Sequence, residues 1–370
     1  MTMPKKVLFP SFSASARVDA VFTDAGFEVM TGIDADEMGF GRSAPSRAGI
    51  RRAAVERAMH EKLPAAHALQ AVGVGGHLPV TAEVLDRAPL LEVVFIGAAG
   101  FDKIDVAAAT DRGIAVVNGP GGNAAGVAEH ALGLMLTLTR RIAHTDRYAH
   151  RELRELSRSE VLATKPGLGV LYGKTVGLVG FGFIGRHLAQ RCQAMGMDVL
   201  AYDPYFDSIE AERLGVRLVS DLDVVLRTAD FVSIHTPLTS ATRKLISTRE
   251  LELMKPTAYL INTSRGATVD TDALVKALKE QSIAGAGLDV AEPEPLPDGH
   301  PLFSLPSVVL TPHIGGVSPE LIEASALTAA RLAVEILHGR RPPHLVNPEV
   351  WPEHIKRFGS AESSSGTDRT

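Results

Sequence analysis

Short apolar runs ending at small or turn residues recur along the first third of the chain. "KKVLFPS", "HALQAVGVGG", "LEVVFIGAAG" and "GIAVVNG" read as strands, and "ASARVDAVFTDAG" and "TAEVLDRAP" between them carry apolar residues at helical spacing. This alternation predicts a parallel sheet covered on both faces. A second series begins at Lys174: "TVGLVG" is a strand, "FIGRHLAQRCQAMG" a helix, and "DVLAYD", "DFVSIHTP", "AYLINTS", "AGAGLDV" and "SVVLTPH" are further strands. Asp270 is the expected N-cap of the helix in "DTDALVKALKEQ". "SPELIEASALTAARLAVEILHG" is a long amphipathic helix that stops at Gly339. Residues 127–142, "VAEHALGLMLTLTRRI", are apolar nearly all round, which predicts a buried helix at a domain or subunit boundary. The stretch 152–171 reads as a connector, and the polar residues after Trp351 predict a disordered tail over 351–370.

Composition narrows the classes. At 370 residues the chain is long enough for two domains with their own cores. A formal net charge of −5 provides no basic field for nucleic acid or an anionic membrane, and no apolar run reaches the length of a span. The opening "MTMPKKVLFPSFSAS" reads as a first strand rather than a signal peptide. A single cysteine, Cys192, rules out an internal disulfide and points to a reducing cytoplasm; its helical surroundings make it a structural thiol. No metal site is expected.

Gly180-Phe181-Gly182-Phe183-Ile184-Gly185 follows an apolar strand and opens a helix. In that context each glycine has a task. Gly180 permits the tight turn, Gly182 lets a pyrophosphate approach, and Gly185 lets helix and strand pack closely. The helix N-terminus offers N–H groups and a positive dipole end to the phosphates. Asp203, about 20 residues on and just past the next strand, suits a ribose with free hydroxyls and repels a 2′-phosphate, so NAD is expected over NADP.

Ligands of such sheets sit beyond the carboxyl ends of the strands. Four strands end there in polar residues: His235, Arg265, Asp289 and His313. Hydride transfer to a 2-oxo acid needs a cation for the carboxylate, a proton donor for the carbonyl oxygen and a carboxylate to orient that donor. Arg265 has the planar fork for the first task, and His313 the near-neutral pKa for the second. Glu294 or Glu292 could serve the third; each precedes a proline, and spacing does not choose between them.

At these residues the sequence resembles the D-isomer-specific 2-hydroxyacid dehydrogenase family. The resemblance runs from about Leu91 to Val346, through "GAAGFDKIDVAAATDRGIAVVN", "VAEHALGL", "GKTVGLVGFGFIG", "HTPLT", "INTSRGATVD", "GLDVAEPEPL" and "LTPHIGG". It implies an α/β fold of two doubly wound parallel-sheet domains. A Rossmann NAD-binding domain (119–317) would be inserted into a flavodoxin-like substrate domain (1–118 plus 318–350). The implied catalytic set is Arg265, Glu294 and His313, with "EPL" selecting Glu294. Phe183 and Ile184 would cover the pyrophosphate, and His235, Thr236 and Pro237 would line the adenine side. Thr263, Ser264, Gly315 and Gly316 would border the nicotinamide, and Asp289 would meet its carboxamide. Amides of the loop at Ala99 and Gly100 would hold the substrate carboxylate. A homodimer joined through the cofactor domain is implied.

Departures shape the substrate expectation. Phosphoglycerate dehydrogenases of the family usually carry an arginine shortly before "VTAEVL"; here that region holds Gly75, Gly76 and His77. This favours a small non-phosphorylated acid, glyoxylate or hydroxypyruvate in kind, over a phosphoglycerate dehydrogenase activity. Corepressors that share the scaffold are an alternative of a different class, an NAD-responsive protein-binding role.

Overall fold

In the residues described by the computed structural model (3–11, 13, 15–32, 55–71, 79–152 and 168–359), the apolar runs form two all-parallel sheets. The expected positions Gly75, Gly76 and His77, most of the connector and the last residues of the tail lie outside the described residues. The chain divides into two units, Met1–Asn123 with Ser318–Thr370, and Ala124–Val317.

The first unit holds β1 (Lys6–Phe9), β2 (Glu28–Thr31), β3 (Ala68–Gln70), β4 (Val93–Ile96) and β5 (Ala115–Asn118), in the order β2-β1-β3-β4-β5. This is the flavodoxin-like order. Alternate residues face opposite sides. Val7, Phe9, Val93 and Phe95 meet the Pro319–Leu337 helix, and Leu8, Leu69, Val94 and Val116 fill the other face. That helix presents buried Ala326, Ala329, Ala330 and Ala333 at helical spacing, so it lies close on the sheet.

Two expected boundaries are corrected here. Residues 119–123 go with this unit. The backbone after β5 runs so near the Pro319–Leu337 helix that a Cβ on Gly119 would stand 2.3 Å from the Ser325 carbonyl oxygen. The tail is not disordered from 351, because Trp351–Phe358 is a helix. Its apolar stripe is thin, but His354 is buried, pairs through Nδ1 with the Gly113 carbonyl at 3.0 Å, and stacks on Trp351.

The second unit holds β6 (Thr175–Val179), β7 (Asp198–Tyr202), β8 (Arg217–Val219), β9 (Phe231–Ile234), β10 (Tyr259–Asn262), β11 (Gly285–Leu288) and β12 (Val308–Leu310). Their order is β8-β7-β6-β9-β10-β11-β12, a Rossmann arrangement extended by one strand, with the switch point between β6 and β9. Val179, Leu200, Val232 and Leu260 bury one face; Val176, Leu178, Phe231 and Ile261 bury the other. Onto the second face packs the Ala124–Arg140 helix, through Ala128, Ala131, Leu134, Met135 and Leu138. It ends sooner than its apolar pattern predicts, because Arg141 turns left-handed at φ 53 before the Ile142–Glu152 helix begins. Cys192 is buried in the same face, and burial pushes its thiol up to about 12, consistent with an inert packing role.

Candidate active site

The glycine loop joins β6 to the Phe183–Ala194 helix at the switch point. Gly180 has φ +97, and a Cβ there would meet the His235–Thr236 peptide at 2.9–3.0 Å. A Cβ on Gly185 would lie 2.5 Å from the Gly180 carbonyl oxygen, so only glycine lets helix and turn touch. Gly182 is the opposite case, since a Cβ there would meet no atom within 4 Å. Other helices are capped by a side-chain oxygen, from Ser15, Asp207, Asp270 and Ser318 among others. Gly182 caps its helix with none, which leaves N–H groups for an outside acceptor.

Asp203, one residue past β7, is tied to this loop. Its Oδ2 accepts from the Phe181 N–H at 2.8 Å and its Oδ1 from the Tyr205 N–H at 2.9 Å. Phe183 is exposed beside the loop, and the Arg186 guanidinium lies 5.1 Å over its ring; Ile184 is half-buried against the core. Across the switch point, His235, Thr236 and Pro237 follow β9. His235 Nε2 meets Ser233 Oγ at 2.9 Å, and burial lowers the imidazole pKa to about 3, so the ring is neutral. His235 Nδ1, Thr236 Oγ1 and, after β10, Thr263 Oγ1 are buried without a partner. Buried polar atoms are usually satisfied, so these three, side by side along one sheet edge, stand available to an outside partner. Together with the open Gly182 cradle, they fit a dinucleotide.

Beyond β10, buried Asn262 organises the turn that carries Arg265. Its Oδ1 accepts from the Ser264 N–H and hydroxyl at 3.0 and 2.9 Å, and its Nδ2 donates to the Arg265 carbonyl at 3.0 Å. Thr268 Oγ1 donates to that carbonyl at 2.7 Å. Arg265 Nη1 reaches the Ser264 carbonyl at 2.8 Å.

Beyond β12, His313 Nδ1 meets Glu294 Oε1 at 2.6 Å. Glu292, the other possibility in the sequence, instead uses its carbonyl to accept from Thr271 Oγ1. Both Glu-Pro bonds, Glu292-Pro293 and Glu294-Pro295, are cis. The Glu294 hydrogen bond raises the His313 pKa; burial lowers it, and so does the charge of Arg265, while Asp289 adds to the rise. Arg265 and Glu294 therefore both act electrostatically on His313, the three coming from separate strand ends. With Nδ1 taken by Glu294, the ring's Nε2 is the nitrogen left for a substrate.

Asp289 is buried at the end of β11. Burial alone would raise its pKa. Hydrogen bonds from His130, Thr311 and the Ile314 and Gly315 amides outweigh that and hold the carboxyl far below its usual range. Gly315 and Gly316 complete the same turn. Asn262, His130 and Thr311 are the residues that sequence reasoning missed. All three act on backbone or through another side chain, and no spacing signals that. In the first unit, the expected donors Ala99 and Gly100 follow β4. The carbonyls of Ala98 and Ala99 accept from Gly119 N–H and Asn118 Nδ2. A trans peptide points its N–H opposite to its C=O, so the Ala99 and Gly100 amides are aimed away from those partners.

Comparisons with known proteins bear on the family and the fold. The family described as D-isomer specific 2-hydroxyacid dehydrogenase, NAD binding domain, matches residues 132–315. A glyoxylate reductase of Thermofilum pendens is 46% identical over 277 residues, covering 73% of this chain and 79% of the relative. A Thermus thermophilus protein of known crystal structure is 35% identical, with a TM-score of 0.73 over 92% of this chain and 99% of its own. The apo D-mandelate dehydrogenase of Rhodotorula graminis is 26% identical, with a TM-score of 0.78 over 93% and 98%.

Proposed function

Because the chain belongs to the D-isomer specific 2-hydroxyacid dehydrogenase family, we propose that it interconverts a small, non-phosphorylated D-2-hydroxy acid and its 2-oxo acid, with NAD as cofactor. At the family level the second unit is an NAD(P)-binding Rossmann domain, and the chemistry is oxidoreduction of 2-hydroxy and 2-oxo acids. The observation that carries the finer reading is the 2.6 Å contact between His313 and Glu294 beside Arg265.

A bound nicotinamide dinucleotide supplies or accepts hydride at the substrate's second carbon. His313 holds the proton for the carbonyl oxygen at Nε2, and Glu294 stabilises the imidazolium from the other side. Arg265 grips the carboxylate and polarises the carbonyl; the family resemblance assigns the Ala99 and Gly100 amides to substrate binding. Gly182, Phe183 and Ile184 hold the pyrophosphate side. Asp203 takes the ribose hydroxyls, and its charge disfavours a 2′-phosphate. His235, Thr236 and Pro237 take the adenine side. Thr263, Ser264, Asp289, Gly315 and Gly316 take the nicotinamide side.

Support for the substrate class comes from the glycines at 75 and 76, where phosphoglycerate dehydrogenases usually carry arginine, and from the glyoxylate reductase relative. The reading also makes the protein a cytoplasmic homodimer. Ile142, Leu168, Val170 and Tyr172 are exposed near the end of the Ala124–Arg140 helix, where Gly169 bonds to Thr139, and such a patch suits a second copy. Light scattering after size exclusion tests the dimer. A panel of glyoxylate, hydroxypyruvate, phosphohydroxypyruvate and branched 2-oxo acids, with NADH and NADPH in parallel, tests the activity. The proposal expects turnover of an unphosphorylated acid with NADH. A preference for phosphohydroxypyruvate, or peptide capture without turnover, would overturn it.

A further inference from the structure

His313 sits at φ 54, in the left-handed region that a residue with a Cβ keeps only where its surroundings over-determine it. The surroundings here converge on one residue, Asp289. The His313 N–H donates to the Asp289 carbonyl at 2.8 Å. The next two amides, of Ile314 and Gly315, donate to Asp289 Oδ1 and Oδ2, each at 2.9 Å. Thr311 Oγ1 donates to Asp289 Oδ1 at 2.6 Å. Residues on both sides of His313 are thus held by Asp289.

A side chain from a distant element completes the arrangement. His130, on the Ala124–Arg140 helix, places Nε2 at 2.8 Å from Thr311 Oγ1 and 3.3 Å from Asp289 Oδ1. A threonine hydroxyl has one hydrogen. With that hydrogen directed at Asp289, Thr311 accepts from His130, so His130 carries a proton on Nε2. The turn also rests on the ring itself: a Cβ on Gly315 would lie 3.3 Å from His130 Cβ and Cδ2, and 3.0 Å from Asp289 Oδ2.

We infer that His130 is a positioning residue for the proton donor: its Nε2–H, acting through Thr311 and Asp289, fixes the 311–315 turn in the one conformation that aims His313 at Glu294. The inference rests on the reading of His313 as the acid. It assigns a purpose to an imidazole that the cofactor and substrate contacts leave unused. A glutamine can offer an N–H where histidine offers Nε2–H, whereas alanine cannot.

The test uses the full-length protein with isotope-labelled histidine, as wild type and as His130→Ala, His130→Gln and Thr311→Val. The readouts are the Nδ1–H resonance of His313 in its Glu294 hydrogen bond, identified by its loss in His313→Asn, and NADH-dependent kcat and KM. In His130→Ala and Thr311→Val the resonance should weaken or vanish, and kcat should fall ~10- to ~100-fold, the scale of a small misplacement of a catalytic group. The loss in kcat should exceed any rise in the KM for NADH, whose nicotinamide side the same turn borders, and His130→Gln should restore most of both signals. Thr311→Val is nearly isosteric and carries the test if His130→Ala does not fold. An unaltered His313 resonance in both variants, or no rescue by glutamine, would overturn the inference. A wild type that turns over no 2-oxo acid, yet whose His313 resonance still responds to His130→Ala, would sink the proposed activity and leave the positioning network standing.

Discussion

Glu294 Oε1 and His313 Nδ1 are 2.6 Å apart, and that contact is the largest influence on the imidazole's proton affinity. It raises the His313 pKa, so the ring keeps its proton to higher pH than a free histidine. With His313 as the proposed acid, reduction would need the protonated ring and oxidation the neutral one. Reductive kcat/KM should therefore hold at low pH and fall as pH rises through the raised value, while the oxidative direction rises. Glu294→Gln should move both limbs down toward the ordinary histidine value of about 6.5. It should also lower reductive turnover near neutral pH by ~10-fold or more, since a misprotonated acid forfeits part of its catalytic contribution. Stopped-flow pH profiles of the two proteins check this.

Arg265 acts on the same imidazole with the opposite sign, its charge lowering the His313 pKa. Replacing Arg265 with Gln should therefore displace the reductive limb upward in pH. It should also raise the KM for the 2-oxo acid by ~10- to ~100-fold, the scale expected for losing charge-assisted hydrogen bonds to a carboxylate. Steady-state kinetics across pH separates the two effects. Lysine should rescue poorly, because an ammonium lacks the planar fork.

The glycine loop separates binding from stability. A Cβ on Gly182 meets nothing in the protein, whereas one on Gly185 would press on the Gly180 carbonyl at 2.5 Å. Gly182→Ala should keep Tm close to wild type and weaken NADH binding. Gly185→Ala should cost about 1–3 kcal/mol of stability by overpacking. Thermal melts and NADH fluorescence titrations on both variants decide it.

Much of this was legible in the chain. Apolar runs ending in glycine or polar residues marked both sheets, and the strand–glycine–helix–strand–Asp203 order marked the nucleotide edge. Spacing left Glu292 and Glu294 open, each before a proline; the "EPL" resemblance pointed to Glu294, and it is Glu294 that lies 2.6 Å from His313, while Glu292 uses its carbonyl elsewhere. Two features were not legible. His130 lies in an apolar helix, and its partners Thr311 and Asp289 come from remote strand ends that no periodicity connects. The Trp351–Phe358 helix was hidden by its polar composition, although Trp351, His354 and Ile355 have helical spacing; what orders it is a tertiary anchor at Gly113.

Asp203 bears on cofactor choice. Its carboxylate accepts the Phe181 amide and so stands at the glycine loop with its charge fixed in place. Wild type should prefer NADH to NADPH by ~10-fold or more in kcat/KM, a repulsion of order 1–3 kcal/mol at a partly solvated site. Asp203→Asn should narrow that ratio while also weakening NADH binding, because one carboxylate acceptor becomes an amide donor. Parallel assays with both cofactors measure the ratio.

The central claim is that the His313 imidazole, held by Glu294, gives the proton to a 2-oxo acid. Its most direct test is kcat for 2-oxo acid reduction in His313→Gln, with the NADH Kd measured on the same protein. The account predicts a fall in kcat of ~10²- to ~10⁴-fold with NADH affinity retained. Turnover within a few-fold of wild type would contradict it.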